Sequence, residues 1–96
     1  MNIYGGKGNT HEASEEIKQI CEQVKQNIET NSNATYSTFE PVTFRSQVVQ
    51  GKNLFVKIKV DNDQYLHVKI FKALPCNGGG VEVKEVLTGK TLESEL

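Results

Sequence analysis

The stretch Gln47-Val48-Val49-Gln50-Gly51 decides the fold, because the chain is extended on both sides of it. Residues 43–46 have the composition of a strand. In residues 54–60 an apolar side chain recurs at every second position, the period of a strand with one buried face. Gly51 can take a positive φ, so we expect a hairpin loop of about 3–5 residues here. Because the two valines are adjacent, one must point away from the core, and the hairpin therefore carries an apolar tip.

A helix is expected before this hairpin. Ser14 is a candidate N-cap, and the glutamates that follow it suit the positive end of the helix dipole. The helical period continues to about Thr30, with an apolar stripe that consists of Ile17, Ile20, Cys21, Val24 and Ile28. A stripe of this width needs one packing partner, which the strands that follow supply.

The remaining chain predicts an antiparallel meander. Pro41 lies in the strand before the hairpin and indicates a bulge or an edge, since it cannot donate a ladder hydrogen bond. Residues 61–63 mark the next reversal, residues 65–74 alternate again, and residues 81–87 form the last strand after a loop at residues 75–80. The fold class is therefore α+β, with a single N-terminal helix packed across an antiparallel β-sheet meander.

We expect one domain over residues 1–96, with residues 1–12 as a flexible N-terminal segment, because this segment is rich in glycine and has no period. A domain of this size buries only about 60–65% of its unfolded surface, so a deep catalytic pocket is not expected.

The charge balance and hydropathy limit the partners. The chain has 11 Lys and Arg against 12 Asp and Glu, a formal net charge of −1, which indicates neither nucleic acid nor an anionic membrane. No apolar run approaches the roughly 20 residues that span a bilayer, and residues 1–6 lack the apolar core of a signal peptide. We therefore expect a cytoplasmic protein, with export by a non-classical route left open.

Arrangements typical of enzymes fail on spacing. His67 and Cys76 are the only candidate base and nucleophile, and nine positions of extended chain would separate them by about 30 Å. Two histidines and two cysteines lack zinc-ligand spacing, so we expect no metal and no cofactor. Gly89-Lys90-Thr91 lacks the first glycine of a phosphate-binding loop, where Lys84 stands. We expect no enzymatic activity.

Four cations, Arg45, Lys57, Lys59 and Lys69, are predicted on the solvent face of the sheet. Since few aromatic residues accompany them, solubility explains them better than nucleic-acid binding. Cys21 and Cys76 are expected to be free thiols, because two cysteines do not form a secreted disulfide framework.

The stretch at residues 47–51 resembles the Gln-x-Val-x-Gly signature of the cystatins, inhibitors of papain-type cysteine proteases. Gly5-Gly6 near the N-terminus, the helix before the hairpin, and Leu74-Pro75 at the second turn extend the resemblance over nearly the whole chain. Without a signal peptide or disulfide framework, the chain is similar to the stefins, the intracellular type 1 branch. It differs from them at Gln50, where stefins commonly have alanine, and at Gly78-Gly79-Gly80.

The resemblance implies a reversible, tight-binding, non-covalent inhibitor of cathepsin-type proteases that fills the active-site cleft with an N-terminal segment and two hairpin loops. Carried over by position, the protease-binding residues are Ile3, Tyr4, Gly5, Gln47, Val48, Val49, Gln50, Gly51, Leu74, Pro75 and Cys76. Many secreted cystatins have tryptophan after the proline of the second loop, so Cys76 implies a smaller contribution from this loop.

Two other functions stay open at this point. One is a non-inhibitory protein-binding module of the same fold. The other is a protein that self-associates by exchanging hairpin strands. We expect a monomer, with two routes to a dimer, domain swapping or a disulfide through Cys76.

Overall fold

Apolar alternation in the second half of the chain forms the sheet that was expected. The computed structural model describes residues 8–96, and these contain a five-stranded antiparallel sheet in sequential order. The strands are β1 His11–Glu12, β2 Phe39–Val49, β3 Gly51–Val60, β4 Tyr65–Lys72 and β5 Val81–Lys90. Two helical segments, α1 Glu15–Gln23 and α2 Lys25–Ser32, pack on one face. The α+β assignment is confirmed.

The core lies between the helical stripe and the inner face of the sheet. Every residue of the predicted stripe is buried, and so are the alternating apolar residues of β3 and β4. The core residues are Ile17, Ile20, Cys21, Val24, Ile28, Leu54, Val56, Ile58, Val60, Leu66, Val68 and Ile70. Because the side chains of β3 and β4 that face the helices are apolar along most of each strand, a register slip would expose them, and this fixes the register of the sheet.

The helix differs from the expectation in one respect. Its N-cap is the predicted one, with the Ser14 hydroxyl accepting a hydrogen bond from the Ile17 N–H at 3.3 Å. The helix is interrupted at Val24, which has φ −105° and ψ 11°. Hydrogen bonds to Ile20 and from Ile28 nevertheless pass through this residue, so the interruption is a kink within one helical stripe. The helix ends at Ser32, two residues later than expected.

Residues 8–12, which the sequence indicated to be mobile, lie at the edge of the sheet. β1 pairs with residues 43 and 44 of β2, and the Gly8 N–H donates to the Ser46 carbonyl at 2.7 Å. Residues 8–12 therefore lie along β2. Because main-chain hydrogen bonds hold them there, their side chains show no apolar period in the sequence. Pro41 lies at the start of a register shift in β2, which confirms the predicted bulge.

The outer face of the sheet, opposite the helices, is partly covered by the C-terminal segment, residues 91–96. The Lys57 ammonium donates to the main-chain oxygens of Leu92 and Ser94, the latter at 2.6 Å. Lys57 is only 6% exposed and His67 only 7%. The prediction that Lys57 lies on a solvent face is wrong, because the C-terminal segment provides carbonyl acceptors for its charge.

Asp61 closes the end of the sheet where β3 turns into β4. Its carboxylate accepts the N–H of Ser37 at 3.0 Å and of Thr38 at 2.5 Å, which joins the turn to the chain before β2. These hydrogen bonds to the ionised form hold the pKa of Asp61 below its usual range.

We predict that Asp61→Asn lowers the melting temperature at neutral pH. Since the folded pKa of Asp61 is depressed, its stabilisation is complete above the unfolded pKa of about 4 and is lost as pH falls through the folded pKa. The gap between parent and variant should therefore shrink in acid. Calorimetry at pH 7 and pH 2 measures this. Asp63→Asn is the control, because Asp63 has only an exposed contact of 3.7 Å with Lys59. Equal losses for the two variants would contradict this account.

Candidate functional site

The tip of the β2–β3 hairpin is tighter than the sequence indicated. Val49 pairs with Gly51, which leaves Gln50 alone between the strands, so the predicted loop of about 3–5 residues is wrong. The ladder continues to the tip because polar residues also pair there, with the Asn53 side-chain amide donating to the Gln47 side-chain oxygen at 2.8 Å. The hairpin is therefore ordered by pairing almost to its last residue.

Gly51 has the positive φ that was expected, 117°, and it is buried. A Cβ on this residue would lie 2.6 Å from the Lys72 carbonyl oxygen and 2.9 Å from the Phe71 ring. Real Cβ atoms do not approach so closely, so glycine is required by contact with β4 as well as by its backbone angle. The hairpin tip is thereby packed against the end of β4, where the second loop begins.

The second loop has its own hydrogen bonds. The Leu74 carbonyl accepts the N–H of Asn77 at 2.8 Å and that of Gly79 at 3.0 Å, and the Ala73 N–H donates to the Gly80 carbonyl at 2.8 Å. Pro75 begins a short 3₁₀ turn, a position that its fixed φ favours. Leu74, Pro75 and the following residues are exposed. This loop is a compact turn that presents side chains to solvent.

The two tips lie side by side. Lys52 of β3 pairs with Lys72 of β4, so the residues just beyond each of them, at the two tips, meet at the same end of the sheet. The exposed apolar side chains there are Val48, Val49 and Leu74, at 61%, 41% and 39% exposure. We call this set the apolar tip. Grouped apolar side chains of this kind, on ordered backbone, are typical of a protein–protein contact surface.

The structure brings together most of the sequence-predicted site residues. Of these, the described ones all lie at this end of the sheet, and they are Gln47, Val48, Val49, Gln50, Gly51, Leu74, Pro75 and Cys76. Gly51 differs from the others, because it is buried against β4. Ile3, Tyr4 and Gly5 lie outside the described residues.

Residues that were not predicted from the sequence support the loop end of the sheet. Lys72 forms an ion pair of 2.7 Å with Glu16 in the first turn of α1. This hydrogen bond and the Lys72 charge lower the pKa of Glu16. The Phe71 ring lies where it would clash with a Cβ on Gly51. The Lys84 ammonium nitrogen lies 6.0 Å from the centre of this ring. None of these contacts has a local sequence signal, since each joins residues distant along the chain.

The two thiols are in opposite environments. Burial raises the pKa of Cys21 to about 12, so this thiol is inert at neutral pH. Cys76 is free and exposed within the second loop. Among residues 8–96, no three His, Cys, Asp or Glu side chains are grouped so that they could hold a metal ion. In the same part of the chain, no helix combines the length and apolar character that crossing a membrane requires.

A helix packed across a five-stranded antiparallel sheet, with exposed apolar side chains on two loops at one end, defines a class of small α+β proteins. Comparison with known proteins assigns this class to a family. The cystatin domain matches residues 5–93. The chain is 37% identical over 94 residues to Cystatin-A of Felis catus, covering 98% of this chain and 96% of the cat protein.

Two further relatives agree. Stefin-C of Bos taurus is 38% identical over 92 residues, which is 96% of this chain and 91% of the bovine protein. Stefin-3 of Mus musculus is 38% identical over 96 residues, which is 100% of this chain and 92% of the mouse protein. The chain belongs to the cystatin family, and this membership indicates inhibition of cysteine proteases at the level of the family.

We predict that Gly51→Ala destabilises the chain more than Gly78→Ala does, by at least about 1 kcal/mol. Both glycines have positive φ, but a Cβ at Gly78 meets nothing within 4 Å, whereas one at Gly51 meets β4. Gly78→Ala therefore measures the cost of the backbone angle alone. Urea denaturation gives both free energies of unfolding. Equal losses would show that Gly51 is not packed against β4.

Proposed function

We propose that this chain is a reversible, tight-binding, non-covalent inhibitor of papain-like cysteine proteases of the cathepsin type. The apolar tip carries this proposal, because two separate loops expose Val48, Val49 and Leu74 at one end of the sheet. The N-terminal segment would be the third contact. Gly8 lies beside Ser46 of β2, four residues before Gln50 at the hairpin tip, and Ile3, Tyr4 and Gly5 precede Gly8 in the sequence.

Tight binding without a large interface requires loops that are ordered before they bind. The strand pairing from Gln47 to Gly51 and the internal hydrogen bonds of the second loop supply this order. Little conformational entropy is then lost on association, and a few desolvated apolar side chains can supply most of the affinity. Val49 is the side chain we assign to the centre of this contact.

Resistance to cleavage has a geometric explanation. A protease thiolate attacks a carbonyl carbon that comes within about 3–3.5 Å in the correct orientation. The carbonyls of the hairpin tip belong to a paired ladder, so a carbonyl that is held further than this from the thiolate cannot rearrange towards it. The chain then occupies the cleft without forming a covalent bond.

We predict that the parent chain inhibits papain stoichiometrically, and that Val49→Glu raises the inhibition constant at least about tenfold, because a carboxylate would have to be desolvated in the cleft. Titration of papain against a fluorogenic substrate measures this. Leu87→Glu is the matched control, since Leu87 is a similarly exposed apolar residue, 40% exposed, on β5. Equal losses for the two variants would contradict the assignment of the apolar tip.

The same titration separates inhibition from the alternative function. A non-inhibitory binding module of this fold would leave papain fully active at a molar excess of the chain. Digestion of the chain by papain, with cleavage near Gln50, would likewise rule out inhibition through the hairpin.

A second prediction concerns the non-covalent mechanism. Papain whose catalytic cysteine is blocked by a small group should still bind the chain, because no bond to the sulfur is required. Calorimetric titration of the blocked enzyme measures this, with Val49→Glu as the variant that should bind at least about tenfold more weakly. Loss of all binding to the blocked enzyme would show that the free thiol takes part.

We propose the monomer as the inhibitory form. Cys76 lies in the second loop, next to Pro75 and Leu74, so a disulfide between two chains at this thiol would cover the loop that meets the protease. Exchange of hairpin strands between chains would equally withdraw the apolar tip. Size-exclusion chromatography with and without reductant identifies which form inhibits. For the cell, we propose a cytoplasmic site of action.

A further inference from the structure

Arg45 contacts both the N-terminal segment, at Gly8, and the C-terminal segment, at Leu96. It lies on β2, two residues before Gln47, and pairs with Phe55 across the sheet. Its Nε–H donates to the main-chain oxygen of Gly8 at 2.8 Å. One of its terminal nitrogens, Nη1, donates to the main-chain oxygen of Leu96 at 3.3 Å. A guanidinium presents several donors in a fixed plane, so a single side chain can serve both acceptors.

These bonds hold the N-terminal segment in register with β2. The Ala13 N–H donates to the Val42 carbonyl, and the Gly8 N–H donates to the Ser46 carbonyl, so the segment runs along β2 towards the hairpin tip. At Gly8 both main-chain groups are engaged, the N–H by Ser46 and the carbonyl by Arg45. Gly8 is exposed, with no side chain to pack, so these two bonds fix its position.

The C-terminal segment holds Arg45 from the other side. Lys57 binds the main-chain oxygens of Leu92 and Ser94, which places residues 92–96 over the outer face of the sheet. The same segment then offers the Leu96 oxygen to Arg45. The guanidinium is in this way kept between the two ends of the chain, where its Nε–H points at Gly8.

We propose that Arg45 is a positioning residue for protease inhibition, which directs the N-terminal segment towards the cleft and is itself held by the C-terminal segment. The inference rests on the proposed function. In this proposal Arg45 acts through its hydrogen bond to Gly8. Without Arg45, Gly8 loses one of the two hydrogen bonds that fix its position, and more conformational entropy is lost when the N-terminal segment binds.

The test is a double-mutant cycle on inhibition of papain, with Arg45→Met and Tyr4→Ala singly and combined. Methionine keeps an apolar stem and removes the donors. We expect Arg45→Met to raise the inhibition constant about tenfold. The factor by which Tyr4→Ala raises the inhibition constant should be at least about threefold smaller in the Arg45→Met background than in the parent, because the effects of residues that act through one segment are not additive. Lys59→Met, which likewise replaces a cation with methionine on the same face but at the far end of the sheet, should leave inhibition unchanged.

If the inhibition constant of the double variant rises by the product of the two single increases, the inference is overturned while the proposed function stays intact. A parent chain that leaves papain active would overturn both. Amide exchange of Gly8 supplies a readout independent of inhibition, and we expect it to be at least about tenfold faster in Arg45→Met, where the paired carbonyl is released. Unchanged exchange would show that Arg45 does not hold Gly8.

Lys57→Met tests the role of the C-terminal segment, because it detaches residues 92–94 without altering Arg45 or Gly8. We expect the same two changes as in Arg45→Met, smaller but in the same direction. Inhibition and Gly8 exchange equal to those of the parent would remove the C-terminal segment from the proposal.

Discussion

The close approach of the Gly51 backbone to the Lys72 carbonyl is the constraint on which the functional end of this molecule depends. Strand β3 can reach its tip beside β4 only where no side chain intervenes, and a Cβ there would stand 2.6 Å from the Lys72 oxygen. This contact joins the first hairpin to the start of the second loop, which makes one surface of two loops. The ion pair between Lys72 and Glu16 extends the support to the first turn of α1.

The two faces of the sheet are covered in different ways. The inner face packs on the helices through apolar side chains, whose burial supplies the main favourable contribution to folding. The outer face holds Lys57 and Arg45, which bind main-chain oxygens of the C-terminal segment. Such a polar layer adds less stability than an apolar one, but its directional bonds fix where the chain ends lie. The inner face thus supplies most of the stability, and the outer face positions the N-terminal and C-terminal segments.

The sequence predicted the features that local pattern determines. The alternation in β3, the Ser14 cap and the positive φ of Gly51 are all properties of neighbouring residues, and each was confirmed. The predicted hairpin loop was too long. The strands continue to the tip through the polar pair Gln47 and Asn53, which shows no hydrophobic period in the sequence. Burial of Lys57 could not be predicted either, because its acceptors are main-chain oxygens 35 and 37 positions away.

The apolar tip can bind tightly as a preformed surface only if it is ordered before any partner arrives. Backbone ¹⁵N relaxation of the free chain at residues 48–52 tests this most directly, because it reports motion on the timescale that a flexible loop would show. Packing against β4 predicts order parameters of about 0.85, as in the middle of β3. Values below about 0.6 would mean that the tip becomes ordered only on binding, which contradicts a preformed contact surface.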